Sequence, residues 1–384
     1  MLEIDPQILA RAKAWRQDIH THPELAFCET RTSSIVKQEL ETCGLEVIDK
    51  IAKTGIVAVL KRGDGPKIGL RADMDALPIH EATNLNYASK TTGCMHACGH
   101  DGHTSMLLGA VRQICALPDL RGTVYFIFQP AEEAEGGAQA MIEDGLFERF
   151  PMDAIYGLHN MPGIPVGTFV VKDGPMAAAF ARFNITITGP GGHGAMPETT
   201  RDPIVAGAAL VMALQTIPSR NIKPLEPSVV TVGAFHAGEA ENVIPGEVQI
   251  KGSCRSFSND VALQIEQRIR EISAGIAATY GLEIKVDYEH GYPSVINSKA
   301  ESEIVAEVAR SLVGDEHVIT DPDPFMGSED FSYFLQAKPG CYFIIGNGED
   351  CTGLHSPTYN FNDDALKYGI GFWTALVKHQ LGHP

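Results

Sequence analysis

Apolar positions along this chain change period several times, and the changes mark its elements. Helices are predicted near 6–20, 104–116, 137–145, 202–216, 259–279, 298–313, 329–336 and 363–380. Short runs of β-branched and aromatic residues predict strands near 45–60, 67–73, 123–128, 153–159, 181–188, 228–236, 246–256, 282–289 and 341–346. In the first part helix and strand patterns alternate, which implies an α/β layer fold with helices on both faces of a largely parallel sheet. Past the turn-rich joint Lys172-Asp173-Gly174-Pro175 the order becomes βαββαβ, the split βαβ arrangement of ferredoxin-like domains. After Gly291-Tyr292-Pro293 the α/β style resumes. The middle segment, 178–292, is therefore expected to be an α+β insertion in a discontinuous domain made of 1–177 and 293–384.

Length agrees with this division, because 384 residues exceed the usual size of one domain. A formal charge of −18 argues against nucleic acid and anionic membrane surfaces, which select basic patches, and leaves small molecules as the expected partners. No apolar run approaches transmembrane length, and the start Met1-Leu2-Glu3-Ile4-Asp5-Pro6 has neither the basic nor the apolar region of a secretory signal. Eight scattered cysteines without disulfide-scaffold spacing point to a reducing compartment, so a cytoplasmic location is expected.

The chemistry concentrates in Met95-His96-Ala97-Cys98-Gly99-His100-Asp101-Gly102-His103. In an extended segment Cys98 and His100 point to the same side, and Gly99 admits a close approach, so the two form a chelating pair. Thiolate and imidazole suit a first-row transition ion better than calcium or magnesium. A closed zinc knuckle of Cys94, His96, Cys98 and His100 would satisfy the same spacing. Further donors lie downstream. Glu132 and Glu133 follow the apolar run 122–128, at the strand end where open α/β sheets place their ligands. Adjacent buried carboxylates need a cation, whereas a solvated acidic loop needs none. His159 ends another apolar strand, His355 sits in a glycine and proline loop after Tyr342–Gly346, and Asp73 and Asp75 follow Ile68-Gly69-Leu70. Together these residues form one constellation at successive strand ends.

Arg71-Ala72-Asp73-Met74-Asp75-Ala76-Leu77-Pro78, His96 to His103, Gln129 to Glu133, Gly191 to Pro197, Glu241 to Pro245 and Met326 to Phe331 resemble the M20 metallopeptidase and amidohydrolase family. Within it they look like the branch of hippurate hydrolases, N-acyl-amino-acid amidohydrolases and auxin-conjugate hydrolases. The resemblance runs almost the whole length. It implies a zinc-peptidase-like catalytic domain with an inserted ferredoxin-like lid and dimerisation domain, and a homodimer or higher homo-oligomer. It assigns Cys98, His100, Glu133, His159 and His355 to two divalent ions, zinc or manganese, with cobalt or nickel as alternatives. Cys98 takes the bridging place that an aspartate fills in the broader family. Glu132 becomes the general base that takes a proton from the attacking water and returns it to the leaving amine. Asp75 supports the metals from behind. His193, reached from the other subunit, stabilises the oxyanion, a reading preferred on the resemblance over that of a turn histidine among glycines. Asn242 contacts the substrate backbone, and Arg255 holds the amino acid's carboxylate or makes a surface ion pair. His96, Asp101 and His103 receive no ligand role and are expected to orient the loop or the ligands. The implied reaction is hydrolysis of N-acyl amino acids to a carboxylic acid and a free amino acid. A dipeptidase or aminoacylase of the same family, or a non-catalytic metal-binding protein, are the alternatives.

Overall fold

The computed structural model describes residues 4–133 and 135–382, and the chain forms two compact units. The first comprises Met1–Gly174, Ile296–Asp323 and Asp330–Pro384; the second comprises Pro175–Val295 and Pro324–Glu329.

The first unit opens with α1 (Pro6–Thr21), whose start is set by Pro6 and by the Asp5 carboxylate, which accepts from the Gln7 N–H at 2.8 Å. Next comes α2 (Thr30–Thr42), a helix that the apolar pattern does not signal. Its first turns are hydroxyl-rich residues of modest helix propensity, and it buries only Thr32, Val36 and Leu40, so its stripe is too narrow to read from sequence. The stretch 45–60 is a hairpin, β1 (Glu46–Ile51) and β2 (Gly55–Arg62), turned through Ala52 and Lys53 at positive φ. β3 (Lys67–Asp73), α3 (His100–Cys115), β4 (Gly122–Gln129), β5 (Ala154–Pro162) and β6 (Phe169–Val170) follow. After the second unit the chain returns with α4 (Lys299–Val313), β7 (Val318–Ile319), β8 (Gly340–Gly348) and α5 (Leu366–Leu381).

The eight strands form one sheet in the order β1-β2-β4-β3-β5-β8-β6-β7. Its centre, β4-β3-β5-β8, is parallel, while β1-β2, β2-β4 and β8-β6 are antiparallel, so the sheet is mixed at its flanks. Every residue of β4 is buried, as expected of a strand covered on both faces. On one face α1, α3 and α5 pack closely. A Cβ on Gly369 of α5 would lie 1.9 Å from the Met106 sulfur of α3, so only glycine permits this approach. Because the central strands are parallel, their carboxyl ends share one edge, with Asp73 registered opposite Gln129 and His159 opposite Ile344.

The second unit has the βαββαβ order, with strands Ala179–Thr188, Ser228–Ala237, Glu247–Ser256 and Glu283–His290 and helices Pro203–Leu214 and Asn259–Tyr280. All strand pairs are antiparallel, and the first strand lies between the third and the fourth. Alternate residues of the central strand, among them Phe183, Ile185 and Ile187, are buried in a core with Leu210, Val248, Ile250, Ile265 and Ile269. Among the described residues no helix is long and apolar enough to cross a membrane.

Candidate metal centre

At the carboxyl edge of the central strands the first unit gathers Cys98, His100, Glu132, Glu133, His159 and His355. The local geometry of the first two differs from the extended pair expected from their spacing. Gly99 adopts φ 94° and is the residue before α3, so Cys98 ends a loop and His100 begins a helix. A side chain at Gly99 would be strained by that φ, and its Cβ would lie 2.2 Å from the Asn160 amide nitrogen. Asn160 uses that nitrogen to donate to the Cys98 carbonyl at 2.6 Å, while Tyr359 donates to the Asn160 amide oxygen at 2.7 Å. The loop is thus pinned from β5 and from the segment after His355.

Two groups of three donors share the Cys98 sulfur. In the first, Cys98, His100 and His159 are all buried; in the second, Cys98 is joined by Glu133 and His355, and the ligand atoms of each group lie within 4.8 Å of one another. We call these the closed and open lobes. In the closed lobe the imidazole orientations follow from their outer partners. The His159 Nδ1–H donates to the Asn160 carbonyl at 2.6 Å, leaving Nε2 to face the Cys98 sulfur at 3.3 Å. The His100 Nδ1–H donates to the Asp75 carbonyl at 2.9 Å, which leaves Nε2 as a lone-pair donor. That Nε2 is buried without a hydrogen-bond partner, 3.8 Å from the Glu133 Oε1. Buried polar atoms are rarely left so, and a cation between the two would satisfy it. The donor set of a thiol, three imidazoles and a carboxylate, with the thiol common to both groups, would suit divalent metal ions.

Electrostatics point the same way. Burial opposes charge on His100, yet Asp73, Asp75 and Glu133 hold its pKa up at about 10, so the field at the cluster's centre favours positive charge. Burial, reinforced by Glu133 and Glu132, keeps the Cys98 thiol well above its ordinary range, so binding a cation there releases a proton. Burial, with His103 nearby, keeps His159 neutral, the state a ligand needs. The hydrogen bond to Glu133, at 3.3 Å, raises His355, which is half exposed on its loop. His355 has φ 62°, and its N–H donates to the Ala97 carbonyl at 2.8 Å, which ties this loop to the one carrying Cys98.

Neighbouring residues are engaged elsewhere. Asp73, His100 and His103 also lie within 4.8 Å of one another. His103, however, donates from Nδ1 to Asp73 at 2.6 Å and accepts the Asn160 N–H on Nε2 at 3.0 Å, so it has no lone pair to offer. Arg71 holds the other Asp73 oxygen at 2.7 Å. Cys94 and His96 join none of the donor clusters among the described residues, so the closed knuckle does not form. Asp101 turns away to His20 at 2.8 Å. Burial lowers His96 to about 4, and both its ring nitrogens are buried without a partner.

Asp75 spans both lobes: one oxygen lies 3.3 Å from His100 Nδ1 and the other accepts the Glu133 N–H at 3.0 Å. Glu132 is buried beside His100 and Glu133, and its Oε1 accepts the Asp330 N–H at 3.4 Å. His193, Asn242 and Arg255 belong to the second unit. His193 is exposed on the two-residue strand Gly192–His193, paired with Val243–Ile244, and the Asn242 carbonyl accepts the Gly194 N–H at 2.9 Å, so these two candidates are neighbours. Arg255 stacks 4.2 Å over the Phe180 ring and donates to the Cys254 carbonyl. The supporting residues Asn160, Tyr359 and Glu29 are absent from the sequence reading. The tract Leu158-His159-Asn160 carried a signal for the first of them only.

Comparison with known proteins gives the following. The family model "Peptidase family M20/M25/M40" matches residues 69–379. Hippurate hydrolase of Campylobacter jejuni is 44% identical over 363 residues, covering 94% of each chain. IAA-amino acid hydrolase ILR1-like 2 of Arabidopsis thaliana is 39% identical over 374 residues, covering 95% of this chain and 84% of its own. The crystal structure of the Bacillus subtilis YXEP protein, a dinuclear metal binding peptidase from the M20 family, superposes with a TM-score of 0.86 at 34% identity, covering 97% of this chain and 98% of that one.

Proposed function

This chain belongs to the peptidase family M20/M25/M40 and is a hydrolase of amide bonds, and from that premise we propose that its substrates are N-acyl amino acids, split to a carboxylic acid and a free amino acid. The observation that carries the mechanism is Glu132 beside two donor groups that share Cys98, with His100 Nε2 buried and without a hydrogen-bond partner. Its cofactor is divalent metal. Cys98, His100 and His159 would hold one ion and Cys98, Glu133 and His355 the other; zinc and manganese would both suit this mixed sulfur, nitrogen and oxygen set. When bound, such ions polarise an amide carbonyl and acidify water.

The remaining work falls to side chains. Glu132 takes the proton of the attacking water and returns it to the leaving amine, a role for which its buried position between Glu133 and Asp330 holds it still. Asp75 fixes the His100 tautomer and the Glu133 backbone. The second unit acts as lid and dimerisation domain. His193, reached from the other subunit of a dimer, would contribute oxyanion contacts, and Asn242, beside it on an exposed ribbon, contacts to the substrate backbone, while Arg255 would pair with the free carboxylate. Strand Ser228–Ala237 is at the sheet's edge, and the exposed Val205, Met212 and Phe235 lie on it and on helix Pro203–Leu214. An apolar face beside an open edge supports a homodimer formed there. Met212→Lys should then shift light scattering from dimer mass to monomer mass; an unchanged mass would remove this interface. Eight free thiols support a reducing compartment, the cytoplasm, which cell fractionation would test.

The function itself is tested by stripping metal, reloading with zinc, manganese or cobalt, and following amino-acid release from N-benzoyl, N-acetyl, N-fatty-acyl and N-indoleacetyl amino acids. We expect metal-dependent turnover, reduced about a thousandfold or more in Glu132→Gln while metal content is kept. Turnover surviving in Glu132→Gln would remove Glu132 as the base. Metal binding with no turnover of any member would remove the substrate class.

A further inference from the structure

Glu29 is a buried carboxylate remote in sequence from the clustered donors, and its partners converge on the turn that presents Glu132. Its Oε1 accepts the Ala131 N–H at 2.9 Å and the Phe27 N–H at 3.1 Å, and its Oε2 accepts the Thr54 hydroxyl at 2.5 Å. Ala131 itself is in the left-handed region, at φ 55°, where residues with a Cβ are disfavoured. It is wholly buried, and it directly precedes Glu132 and Glu133. Just beyond, the Gly137 N–H returns to the Ala131 carbonyl at 2.9 Å, so the residue is clamped on both its peptide groups.

The physical sense of this arrangement starts from β4, which ends at Gln129; Pro130 has no N–H, so Ala131 carries the first free main-chain donor after the strand. A buried N–H needs an acceptor, and Glu29 supplies it from the start of α2. Were that acceptor withdrawn, the Gly137 and Asp75 contacts alone would hold the turn against its unfavourable backbone angle, and it would relax toward an ordinary conformation. The next side chain along, Glu132, would move with it. A carboxylate is a costly way to fill an ordinary core position, which marks the place as one kept for a purpose.

We infer that Glu29 is a positioning residue for catalysis: through Ala131 it holds the strained turn that aims Glu132 at the reacting water. The inference rests on the reading of Glu132 as general base. Burial pushes the Glu29 carboxyl up to about 7, so near neutral pH a proton is readily accommodated on it. A glutamine can therefore copy the pairing, its amide oxygen accepting both N–H groups and its amide nitrogen donating to the Thr54 oxygen.

The experiment compares the metal-loaded parent enzyme with Glu29→Ala, Glu29→Gln, Glu29→Asp, Glu29→Ala/Ala131→Gly and Glu132→Gln, using N-benzoylglycine for kcat and KM and elemental analysis for bound metal. Glu29→Ala should lower kcat about a hundredfold, with KM and metal content within twofold of the parent, as expected when a reacting group is displaced by about an ångström. Glu29→Gln should recover most of the loss. Glycine at 131 adopts the left-handed angle without strain, so the double variant should recover part of it. A kcat within threefold of the parent in folded Glu29→Ala overturns the inference, as does a loss that neither glutamine nor the double variant repairs. If Glu29→Ala does not fold, Glu29→Asp decides, since its shorter arm withdraws from Ala131: a fall in kcat alone supports the inference and a parental kcat overturns it. Glu132→Gln separates the two readings, because an active Glu132→Gln removes the base assignment itself, whereas an inactive one beside an unaffected Glu29→Ala removes only the role of Glu29.

Discussion

The closed and open lobes share one sulfur yet are built on opposite principles. In the closed lobe Cys98, His100 and His159 are buried, and each imidazole is fixed by a hydrogen bond to a main-chain carbonyl. In the open lobe Glu133 is at the surface's margin and His355 is half exposed, on a loop that reaches the centre through a left-handed residue and one main-chain hydrogen bond to Ala97. The difference teaches where rigidity has been placed. The closed lobe has its donors oriented before any ion arrives, so binding there orders little. The open lobe must still fix a half-exposed side chain. One lobe is suited to keeping an ion and the other to working with one.

The largest effect should come from the residue common to both. Cys98→Ala removes a donor from each lobe, and we expect both ions lost at ordinary metal concentrations and turnover down by about a thousandfold or more. Elemental analysis after gel filtration checks this. Retention of a full complement of metal in Cys98→Ala would show that the lobes do not depend on the shared sulfur, and the comparison would fail.

A smaller and more selective effect is expected from His355→Ala. Because His355 serves the open lobe alone, the variant should keep about one ion per chain and lose the other, with turnover down roughly a hundredfold and recovering partly as metal is raised. Titration with a chelator should show one tight and one weak ion in the parent and only the tight one in the variant. Loss of both ions together would mean that the lobes fill as a unit.

How much of this was legible in the chain follows the same divide between local and long-range causes. That Cys98, His100, Glu132, Glu133, His159 and His355 would meet was readable because strand ends on one edge of a parallel sheet converge, while the choice of five of them as ligands came from the family resemblance. The βαββαβ order was readable because the central strand of the second unit alternates, the long helix Asn259–Tyr280 keeps a helical period, and helix Pro203–Leu214 is a continuous apolar run too long for a strand. The geometry at Gly99 was misread: spacing alone cannot distinguish an extended Cys-Gly-His from a loop that turns into a helix at His100. The start of that helix lacks a side-chain cap, so the usual signal was missing. α2 was hidden by its hydroxyl-rich first turns. The support of the site was illegible for a different reason. Glu29 meets Ala131 across 102 positions and Tyr359 meets Asn160 across 199, and no periodicity carries such pairings.

The smallest effect probes the link between the lobes. Asp75 touches both, one oxygen near His100 Nδ1 and the other accepting the Glu133 N–H. In Asp75→Asn one acceptor becomes a donor. The His100 Nδ1–H already has the Asp75 main-chain carbonyl at 2.9 Å, so the amide nitrogen is better tolerated on that side, with the amide oxygen kept on Glu133. Neither lobe then loses its geometry. Both lose the negative charge that makes the His100 imidazole a stronger donor and draws cations inward. Affinity should accordingly fall by about tenfold for both ions alike, and turnover at saturating metal should stay close to the parent's. Calorimetric titration of the stripped protein reads the two affinities separately. A loss confined to the open lobe would mean that Asp75 acts only through the Glu133 backbone, and one confined to the closed lobe only through the His100 ring; equal losses would make it the electrostatic tie between a lobe built to hold and a lobe built to react.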